Sequence, residues 1–393
     1  MSFPESHNPK TQRMLLRAIC ACVLLGILVA GLWPFHAPRN EVSWLREGNG
    51  LIFGKHGSIV SATPFEATGT QDEKSCSLEI WLKPSRIDSD GGMILAFYWP
   101  ANRVVPFALR QFRSGLVLER ESQGHVTKKA GIYVGDVFGS LKPVFVTITS
   151  GETGTTIYVD GTLVKRFPNF AVSSRDLTGQ LVVGNAPSTT YNWSGQLKGL
   201  EVYNRELTSA EVSRDFAHWT KGSPPDLARS EGVVARYLFD EEKGNVVHNQ
   251  VGSATNLLVP ERFFILDEQF LKRPWDEFRP GWHYWKDVGI NIVGFIPLGF
   301  FFRAYFSGIR KIKRATWLTI ALGFAVSLTI EVLQAFLPTR DSGMTDIITN
   351  TLGTALGATL CLWSMKLNWF AQPVVSSVLA ANKEETVFSS LSS

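Results

Sequence analysis

Apolar runs of membrane-spanning length lie near both ends of the chain, and the long stretch between them has none. Residues 14–33 form a largely apolar run of the length that crosses the hydrocarbon core of a bilayer. Three further apolar segments follow near the C-terminus, at 288–306, 317–337 and 346–365. The pattern therefore predicts four membrane helices, with one before and three after a large inserted region.

The inserted region, residues 40–258, has the texture of an antiparallel β protein. Residues 76–83 alternate apolar and polar side chains, which is the two-residue period of a half-buried strand. Asp160 and Gly161 separate two further strand-like runs, and this dipeptide is typical of a type I′ hairpin turn. Many short strands at this spacing predict an all-β sandwich.

The first apolar run fits an uncleaved membrane helix better than a secretory signal peptide. A signal peptide is the competing interpretation, because Lys10 and Arg13 give the start a basic character. The run is long for a signal peptide, however, and residues 33–35 (Trp-Pro-Phe) are a poor cleavage context. We therefore predict a cytoplasmic N-terminus over 1–13 and a first membrane helix over 14–35.

Basic residues predict the orientation of the later helices. The connection between 288–306 and 317–337 contains a cluster of four: Arg310, Lys311, Lys313 and Arg314. The positive-inside rule places this connection in the cytoplasm, so the three helices run inward, outward and inward. Seven polar side chains then fall toward the outer face: Asp287, Asn291, Glu331, Gln334, Arg340, Asp346 and Asn350. Three separate segments thus deliver polar groups to one shallow layer.

This layer is the predicted functional site, because ionisable groups in membrane segments are costly and usually serve a function. The catalytic candidates are the three acids Glu331, Asp287 and Asp346. The substrate-binding candidates are Arg340, as an anion contact, with the amides Asn291, Gln334 and Asn350. The alternative is a hydrogen-bond network that joins the helices, with Arg340 neutralising one acid. Three carboxylates beside one arginine leave surplus negative charge, which favours a ligand or a cation whose identity is unknown.

Three motif blocks with fixed spacing run through these segments. They are Asp287-x3-Asn291-x2-Gly294-Phe295-x-Pro297-Leu298-Gly299, then Glu331-x2-Gln334 with Arg340, and Asp346-x3-Asn350-x2-Gly353-x3-Gly357. In order and spacing they resemble the VanZ-like family of membrane proteins. The resemblance implies a place in the cell envelope and a possible role in resistance to teicoplanin-type glycopeptide antibiotics, whereas the reaction of the family is poorly defined. The small-xxx-small pair Gly353 and Gly357 also predicts close helix packing.

Motifs in the inserted region resemble the concanavalin A-like, laminin-G-like (LamG) jelly roll. They are the strand ending Glu79-Ile80-Trp81-Leu82-Lys83-Pro84, the hairpin Tyr158-Val159-Asp160-Gly161, the stretch 195–208 and the sequence Leu238-Phe239-Asp240-Glu241. Thr208 with Glu211 forms a capping-box pattern that predicts a short helix. The resemblance implies binding of glycans or proteins, often near a calcium ion. Asp240, Glu241 and Glu242 could contact such an ion; an ordinary solvated strand end is the alternative interpretation.

Hydrolysis by the jelly roll has little support in the sequence. Retaining glycosidases place two carboxylates about 5–5.5 Å apart across the scissile bond. Glu119 and Glu121 are the only attractive pair on one strand, and Arg113 and Arg120 nearby indicate a charged outer face instead.

Composition adds three points. Residues 259–286 mix aromatic and basic side chains, as a segment in the lipid headgroup layer would; a linker packed on the sandwich is the alternative. The four cysteines form neither a disulfide framework nor a metal motif. The net charge of +4 is small and the basic residues cluster beside the membrane segments, so nucleic acid is not an expected partner.

Together these observations predict a multi-domain protein of the inner (plasma) membrane. Its four-helix α-helical transmembrane core consists of residues 14–35 and 287–365. The jelly roll at 40–258 and the connector at 259–286 lie outside the cell membrane. Residues 366–393 form a cytoplasmic tail. The expected partners are a membrane lipid or lipid-linked phosphate, and a glycan or envelope protein for the jelly roll. Whether the protein is an enzyme stays open among three classes: a membrane-embedded enzyme, a small lipid or substrate carrier, and a non-catalytic adapter that anchors a glycan-binding domain.

Overall fold

The computed structural model divides the chain into two compact units, each with its own core. It describes residues 9–66, 74–87, 91–122, 128–221, 231–278, 280–308, 310 and 312–367. The sandwich unit comprises Ala37–Glu268, and the helical unit comprises Met1–His36 together with Gln269–Ser393. The predicted tail at 366–393 lies almost wholly outside the described residues.

The sandwich unit is built from sixteen described strands in two sheets. In chain order they are β1 (Val42–Trp44), β2 (Leu51–Phe53), β3 (Ile59–Ser61), β4 (Cys76–Pro84), β5 (Gly92–Trp99), β6 (Val104–Phe112), β7 (Gly115–Ser122), β8 (Lys128–Val134), β9 (Val144–Gly151), β10 (Gly154–Val159), β11 (Thr162–Phe167), β12 (Gln180–Val183), β13 (Gly195–Tyr203), β14 (Val233–Tyr237), β15 (Val246–Val247) and β16 (Leu257–Leu258). The first sheet has the order β1-β2-β13-β4-β9-β10-β11, with β14 also paired to β13. The second sheet has the order β15-β16-β3-β12-β5-β6-β7-β8. The all-β sandwich predicted from the sequence is thus confirmed.

Alternation along the strands decides which side chains enter the core between the sheets. On β4, Leu78, Ile80 and Leu82 join the main apolar cluster, while Glu79 lies on the opposite face of its sheet. The predicted hairpin is also confirmed. Asp160 and Gly161 both have positive φ angles, 49° and 74°, and they connect β10 to β11 as a type I′ turn requires.

A helix covers the central strands on the outer face of the first sheet. This helix, α2 (Ser209–Thr220), begins with the predicted capping box, in which the Glu211 N–H donates to the Thr208 hydroxyl and the Glu211 carboxylate accepts from the Thr208 N–H. Its buried residues Val212 and Trp219 face the sheet, and the Trp219 ring lies against Gly199, where a Cβ atom would clash. A side chain larger than hydrogen at Gly199 would therefore displace the helix.

The helical unit contains one helix from the N-terminal segment and four from the C-terminal segment. They are α1 (Pro9–Leu32), the single turn α3 (Pro274–Glu277), α4 (Trp282–Gly308), α5 (Ala315–Gln334) and α6 (Met344–Leu367). Within the described chain, three helical segments are long and apolar enough to cross a membrane: Arg13–Leu32, Trp282–Gly308 and Ala315–Gln334. The structure therefore supports three of the four predicted spans on these criteria.

The fourth predicted span, α6, is long but more polar. It carries Asp346, Asn350 and five threonines: Thr345, Thr349, Thr351, Thr354 and Thr359. Several of these hydroxyls donate to carbonyl oxygens of the preceding turn, such as Thr354 to Asn350 and Thr359 to Ala355. The helix thus satisfies much of its own side-chain polarity internally.

Glycines bring α4 and α6 into backbone contact. A Cβ atom at Gly353 would lie 2.2 Å from the Ile292 carbonyl oxygen, and one at Gly357 would lie 2.1 Å from that of Ile296. Gly299 of α4 meets the Thr354 backbone in the same way. Such approaches are possible only for glycine, so these positions set the spacing of the two helices.

The aromatic connector divides between the two units. Phe263 is fully buried in the sandwich unit, where its ring contacts His56 and its N–H donates to the Pro38 carbonyl oxygen. This part of the connector therefore agrees with the alternative interpretation, a linker packed on the sandwich, because packing there removes the Phe263 ring from water. Later aromatic residues of the helical unit stay exposed, among them Trp275 and Trp282, and α4 already begins at Trp282. They keep the character expected of a headgroup-layer segment.

Candidate functional site

The carboxylate of Glu331 links the end of α5 to the start of α6. Its Oε2 accepts a hydrogen bond of 2.7 Å from the Gly343 N–H, and its backbone carbonyl accepts one of 2.9 Å from the Ser342 hydroxyl. Glu331 is buried, with 1 % of its surface exposed. A buried carboxylate on a backbone N–H fixes the α5–α6 connection, whatever further chemistry it performs.

Two more acids meet Glu331 at the first turn of α6, and the three form what we call the acid cluster: Glu277, Glu331 and Asp346. Asp346 accepts a 2.8 Å hydrogen bond from the Asn291 amide of α4, and Glu277 accepts from the Thr345 N–H at 3.1 Å and from the Thr345 hydroxyl. The charges of Glu277 and Asp346 both act on Glu331. The partial positive charge of a helix N-terminus favours acids here.

Two buried amides lie in the same part of the bundle. The Asn350 Nδ2 donates to the Ser327 hydroxyl at 2.9 Å, and the Gln334 Nε2 donates to the Gly31 carbonyl at 2.8 Å. Their side-chain oxygens, Oδ1 of Asn350 and Oε1 of Gln334, are buried and accept no hydrogen bond from any described residue. Since buried acceptors normally have partners, these two oxygens could accept from a ligand or a bound water.

Arg340 has a partner that the sequence did not indicate. Its Nε donates to the Trp33 carbonyl oxygen at 3.0 Å, and an Nη donates to the same oxygen. It therefore holds the α5–α6 connection to the end of α1, and this role differs from the two expected from the sequence, an anion contact or the neutralising partner of an acid. The neighbouring Asp341 pairs with Lys272 instead.

The remaining candidate, Asp287, stands apart from the acid cluster. It is exposed on α4, although its charge still acts on Asp346. The structure therefore brings together Glu331, Asp346 and Asn291, and places Gln334 and Asn350 nearby in the bundle. Sequence reasoning missed Glu277, Ser327 and Ser342. The Asp-Ser-Gly sequence at 341–343, directly before an apolar helix, is a turn signal that could have indicated Ser342.

A second candidate site lies on the outer face of the second sheet. We call it the aromatic–arginine groove; it is an open groove of about 560 Å³ lined by Arg110, Phe112, Arg113, Val117 and Tyr133. Arg110, Val117 and Tyr133 form one cross-strand row over β6, β7 and β8. Tyr133 is 47 % exposed. The groove thus offers flat apolar rings beside guanidinium groups.

The arginines of the groove are held in place by neighbouring groups. Arg110 pairs with Glu119 and donates to the Tyr191 hydroxyl at 3.1 Å, while its Nε is buried with no hydrogen-bond partner in the described chain. Arg113 lies over the Phe112 ring, 5.6 Å from its centroid. Glu121, the other half of the carboxylate pair considered above, pairs with Lys129. These acids therefore serve as ion-pair partners.

The carboxylates that do face each other in the sandwich are Glu79 and Glu201, on neighbouring strands beneath α2. Both are fully buried, and Arg236 donates to Glu201 from Nε at 2.8 Å. Burial, with the charges of Glu201 and Asp215, raises the pKa of Glu79 well above its usual range. Burial also raises the pKa of Glu201, although Arg236 opposes the shift. A substrate could not reach this pair without removal of the helix.

The three acids considered as calcium ligands in the jelly roll do not form a set of free donors. The Glu241 carboxylate accepts from the His248 N–H at 2.6 Å, and Asp240 and Glu242 are exposed. Across the described ranges, no group of three or more histidine, cysteine or acidic side chains is arranged to hold a metal ion.

Comparison with known proteins assigns the two parts of the chain. Residues 234–366 match the family model VanZ/LLP1, and residues 56–213 match the model of the concanavalin A-like lectin/glucanases superfamily. The first match begins in β14 and reaches α6. No curated protein matches the chain.

Solved structures similar to the chain are distant from it. One is a Bacteroides ovatus protein described as carbohydrate-binding, with 13 % identity and a TM-score of 0.36, covering 59 % of this chain and 63 % of its own. Another is the binding domain of botulinum neurotoxin serotype D/C, with 14 % identity, a TM-score of 0.32 and 46 % coverage of each chain. The chain thus spans less than two thirds of these relatives. The two family matches and the apolar helices identify a membrane protein that joins a VanZ-like helical region to a concanavalin A-like domain.

Proposed function

We propose that this protein is a membrane-anchored glycan-binding protein of the cell envelope. The observation that carries the proposal is the aromatic–arginine groove. On the first sheet α2 covers the central strands, whereas on the second sheet the aromatic residues Tyr133 and Phe112 remain exposed. An exposed patch of aromatic residues on a sheet face is a typical place for a ligand to bind.

The chemistry of the groove suits a sugar chain. An aromatic ring provides a flat apolar surface on which the C–H face of a sugar ring can pack. The guanidinium group of Arg113 provides a planar donor fork for hydroxyl or carboxylate oxygens, while Arg110, already paired with Glu119, adds positive charge beside the rings. The match of residues 56–213 to the concanavalin A-like lectin/glucanases superfamily agrees with this class of ligand.

Tyr133→Ala is expected to weaken glycan binding by roughly tenfold or more, because aromatic and arginine side chains in such patches carry much of the binding free energy. Binding of the detergent-solubilised full-length protein to an array of neutral and acidic glycans, followed by titration calorimetry, measures the effect. Val164→Ala is the matched control, since Val164 has the same 47 % exposure but lies on β11 of the other sheet. Equal affinity of wild type and Tyr133→Ala for every glycan bound would contradict the proposal.

For the membrane arrangement we favour a multi-pass inner-membrane protein whose α5–α6 connection, like residues 40–286, faces outward. The support is the positive charge of the opposite connection, with Lys313 and Arg314 exposed beside the start of α5. A cysteine at Asp341, an exposed position, should react with a membrane-impermeant thiol reagent in intact cells. A cysteine at Lys313 should react only after lysis. The reverse labelling pattern would invert the arrangement.

The acid cluster supports a second candidate function, the binding or modification of a lipid or lipid-linked headgroup. Glu331 and the free amide oxygens of Gln334 and Asn350 are acceptors. They suit a headgroup that donates hydrogen bonds, such as an amine or a sugar. Phosphate contact through Arg340 has weaker support, because that guanidinium already donates to the Trp33 carbonyl. An influence on sensitivity to glycopeptide-type antibiotics would follow from this candidate, and Glu331 is the residue that tests it.

A further inference from the structure

The end of the helical unit opposite the acid cluster carries only basic charges among its described residues. The end is identified by an apolar cluster that joins Leu16 and Cys20 of α1 to Ala304 of α4 and Cys361 of α6. The charged residues around it are Arg13, Arg17, Arg303, Arg310, Lys313, Arg314 and Lys366. This end therefore has a strong positive potential at the level where lipid headgroups lie.

A groove opens at this end, along the connection that leads into α5 and the first turn of that helix. We call it the basic groove; its volume is about 640 Å³, and Lys313, Arg314, Thr316 and Trp317 line it. The two basic residues are exposed, and Trp317 is 70 % exposed. Tryptophan beside lysine and arginine is the typical composition of the membrane–water interface.

Arg303 lies directly behind the lining residue Thr316. Its Nε donates to the Thr316 hydroxyl at 2.8 Å, which fixes the guanidinium between α4 and α5. Its Nη1 is buried and has no acceptor within the described part of the chain. A buried donor on a charged group without an acceptor is unfavourable, so an acceptor from outside the chain would stabilise this arrangement.

The positive-inside rule alone does not account for Arg303. The rule concerns basic residues in connections, and exposed side chains such as Lys313 satisfy it fully. Arg303 instead lies inside α4, with its guanidinium turned into the helix contact and one N–H unused. A fixed guanidinium is suited to bidentate contact with phosphate oxygens.

We propose that the basic groove binds the phosphate of an anionic phospholipid headgroup. Arg303 and Lys313 contact the phosphate, and Trp317 packs beside the upper part of the acyl chains. The ligand is a membrane lipid because the groove lies at the ends of two helices of membrane-spanning length, where headgroups are the abundant anions. This inference does not depend on glycan binding by the sandwich unit.

Native mass spectrometry of the full-length protein in a neutral detergent tests the proposal with phosphatidylglycerol and phosphatidylcholine as probes. We expect wild type to retain phosphatidylglycerol in clear preference to phosphatidylcholine. Arg303→Gln should weaken that retention by roughly tenfold, because both the charge and the planar fork are lost. Lys313→Gln, at an exposed position that folding tolerates, should weaken it by roughly fivefold.

Arg17→Gln is the matched control, since Arg17 is exposed on α1 at the same end of the helical unit. It should change retention by less than about twofold, because a single exposed charge outside the groove adds little in a neutral detergent. Three results would overturn the proposal. They are equal retention of the two lipids by wild type, equal losses for Arg17→Gln and the groove variants, and complete displacement of the lipid by millimolar inorganic phosphate, which would indicate a site for the free anion.

Discussion

Gly357→Ala is expected to separate α4 from α6 and to destabilise the helical unit by about 3 kcal/mol or more, above the usual range for an added methyl group. The reason is that the new Cβ atom would lie 2.1 Å from the Ile296 carbonyl oxygen and 2.9 Å from the Phe300 nitrogen. Both are backbone atoms, so no side chain can move to relieve the clash. The two helices themselves must move apart.

The chain carries its own reporter for this effect. Cys361 is fully buried one turn beyond Gly357, so its rate of alkylation in detergent-solubilised protein measures the opening of the helix contact. Gly294→Ala is the control, because Gly294 is also helical but a Cβ there meets nothing within 4 Å. Both changes raise helix propensity by about 1 kcal/mol. If both variants left Cys361 equally protected, the close packing of α4 on α6 would be wrong.

Glu331→Gln is expected to abolish the envelope function of the protein if the acid cluster performs chemistry. The glutamine side chain keeps an oxygen that can accept from the Gly343 N–H, so the α5–α6 connection should survive. What it loses is the ability to carry a charge or transfer a proton, a contribution of roughly 10²- to 10⁴-fold in enzymes. The measurement is complementation of a deletion strain, with sensitivity to wall-directed antibiotics as the readout.

Asp341→Asn is the matched control for this experiment. It makes the same change of acid to amide in the same connection, but at an exposed side chain paired with Lys272. We expect it to complement fully. Full complementation by Glu331→Gln as well would exclude enzymatic and proton-coupled roles of Glu331 and leave the anchored glycan-binding adapter.

Local patterns in the sequence predicted much of the sandwich. The alternation over 76–83 corresponds to β4 (Cys76–Pro84), and the Asp160–Gly161 turn and the Thr208–Glu211 capping box form as expected. Each of these features depends on residues within a few positions of one another. The burial of Phe263 in the sandwich unit was not predictable in this way. The same local sequence near a membrane helix allows an aromatic residue to lie among lipid headgroups or in the core of another domain.

The candidate site shows the same division between local and distant interactions. Periodicity correctly places Asp346 and Asn350 on one helix, but the partners of Arg340 and Gln334 are backbone carbonyls of Trp33 and Gly31. A carbonyl oxygen has no signature in the sequence, since every residue has one. Glu277 could not be predicted for a related reason. It lies in the connector, far from α6 in the sequence, and contacts Thr345 of that helix only in the folded structure.

The contacts of α1 also have a consequence for the order in which the protein assembles during synthesis. Gly31 and Trp33 bond to residues 303 and 307 positions later, and the whole sandwich unit lies between them. At about 5–20 residues per second, the ribosome needs on the order of tens of seconds to deliver those partners. In that interval all sixteen described strands leave the ribosome, so the sandwich can fold before the partners of α1 have been synthesised. The helical unit is therefore the last part to close, although its first helix is the first to be made.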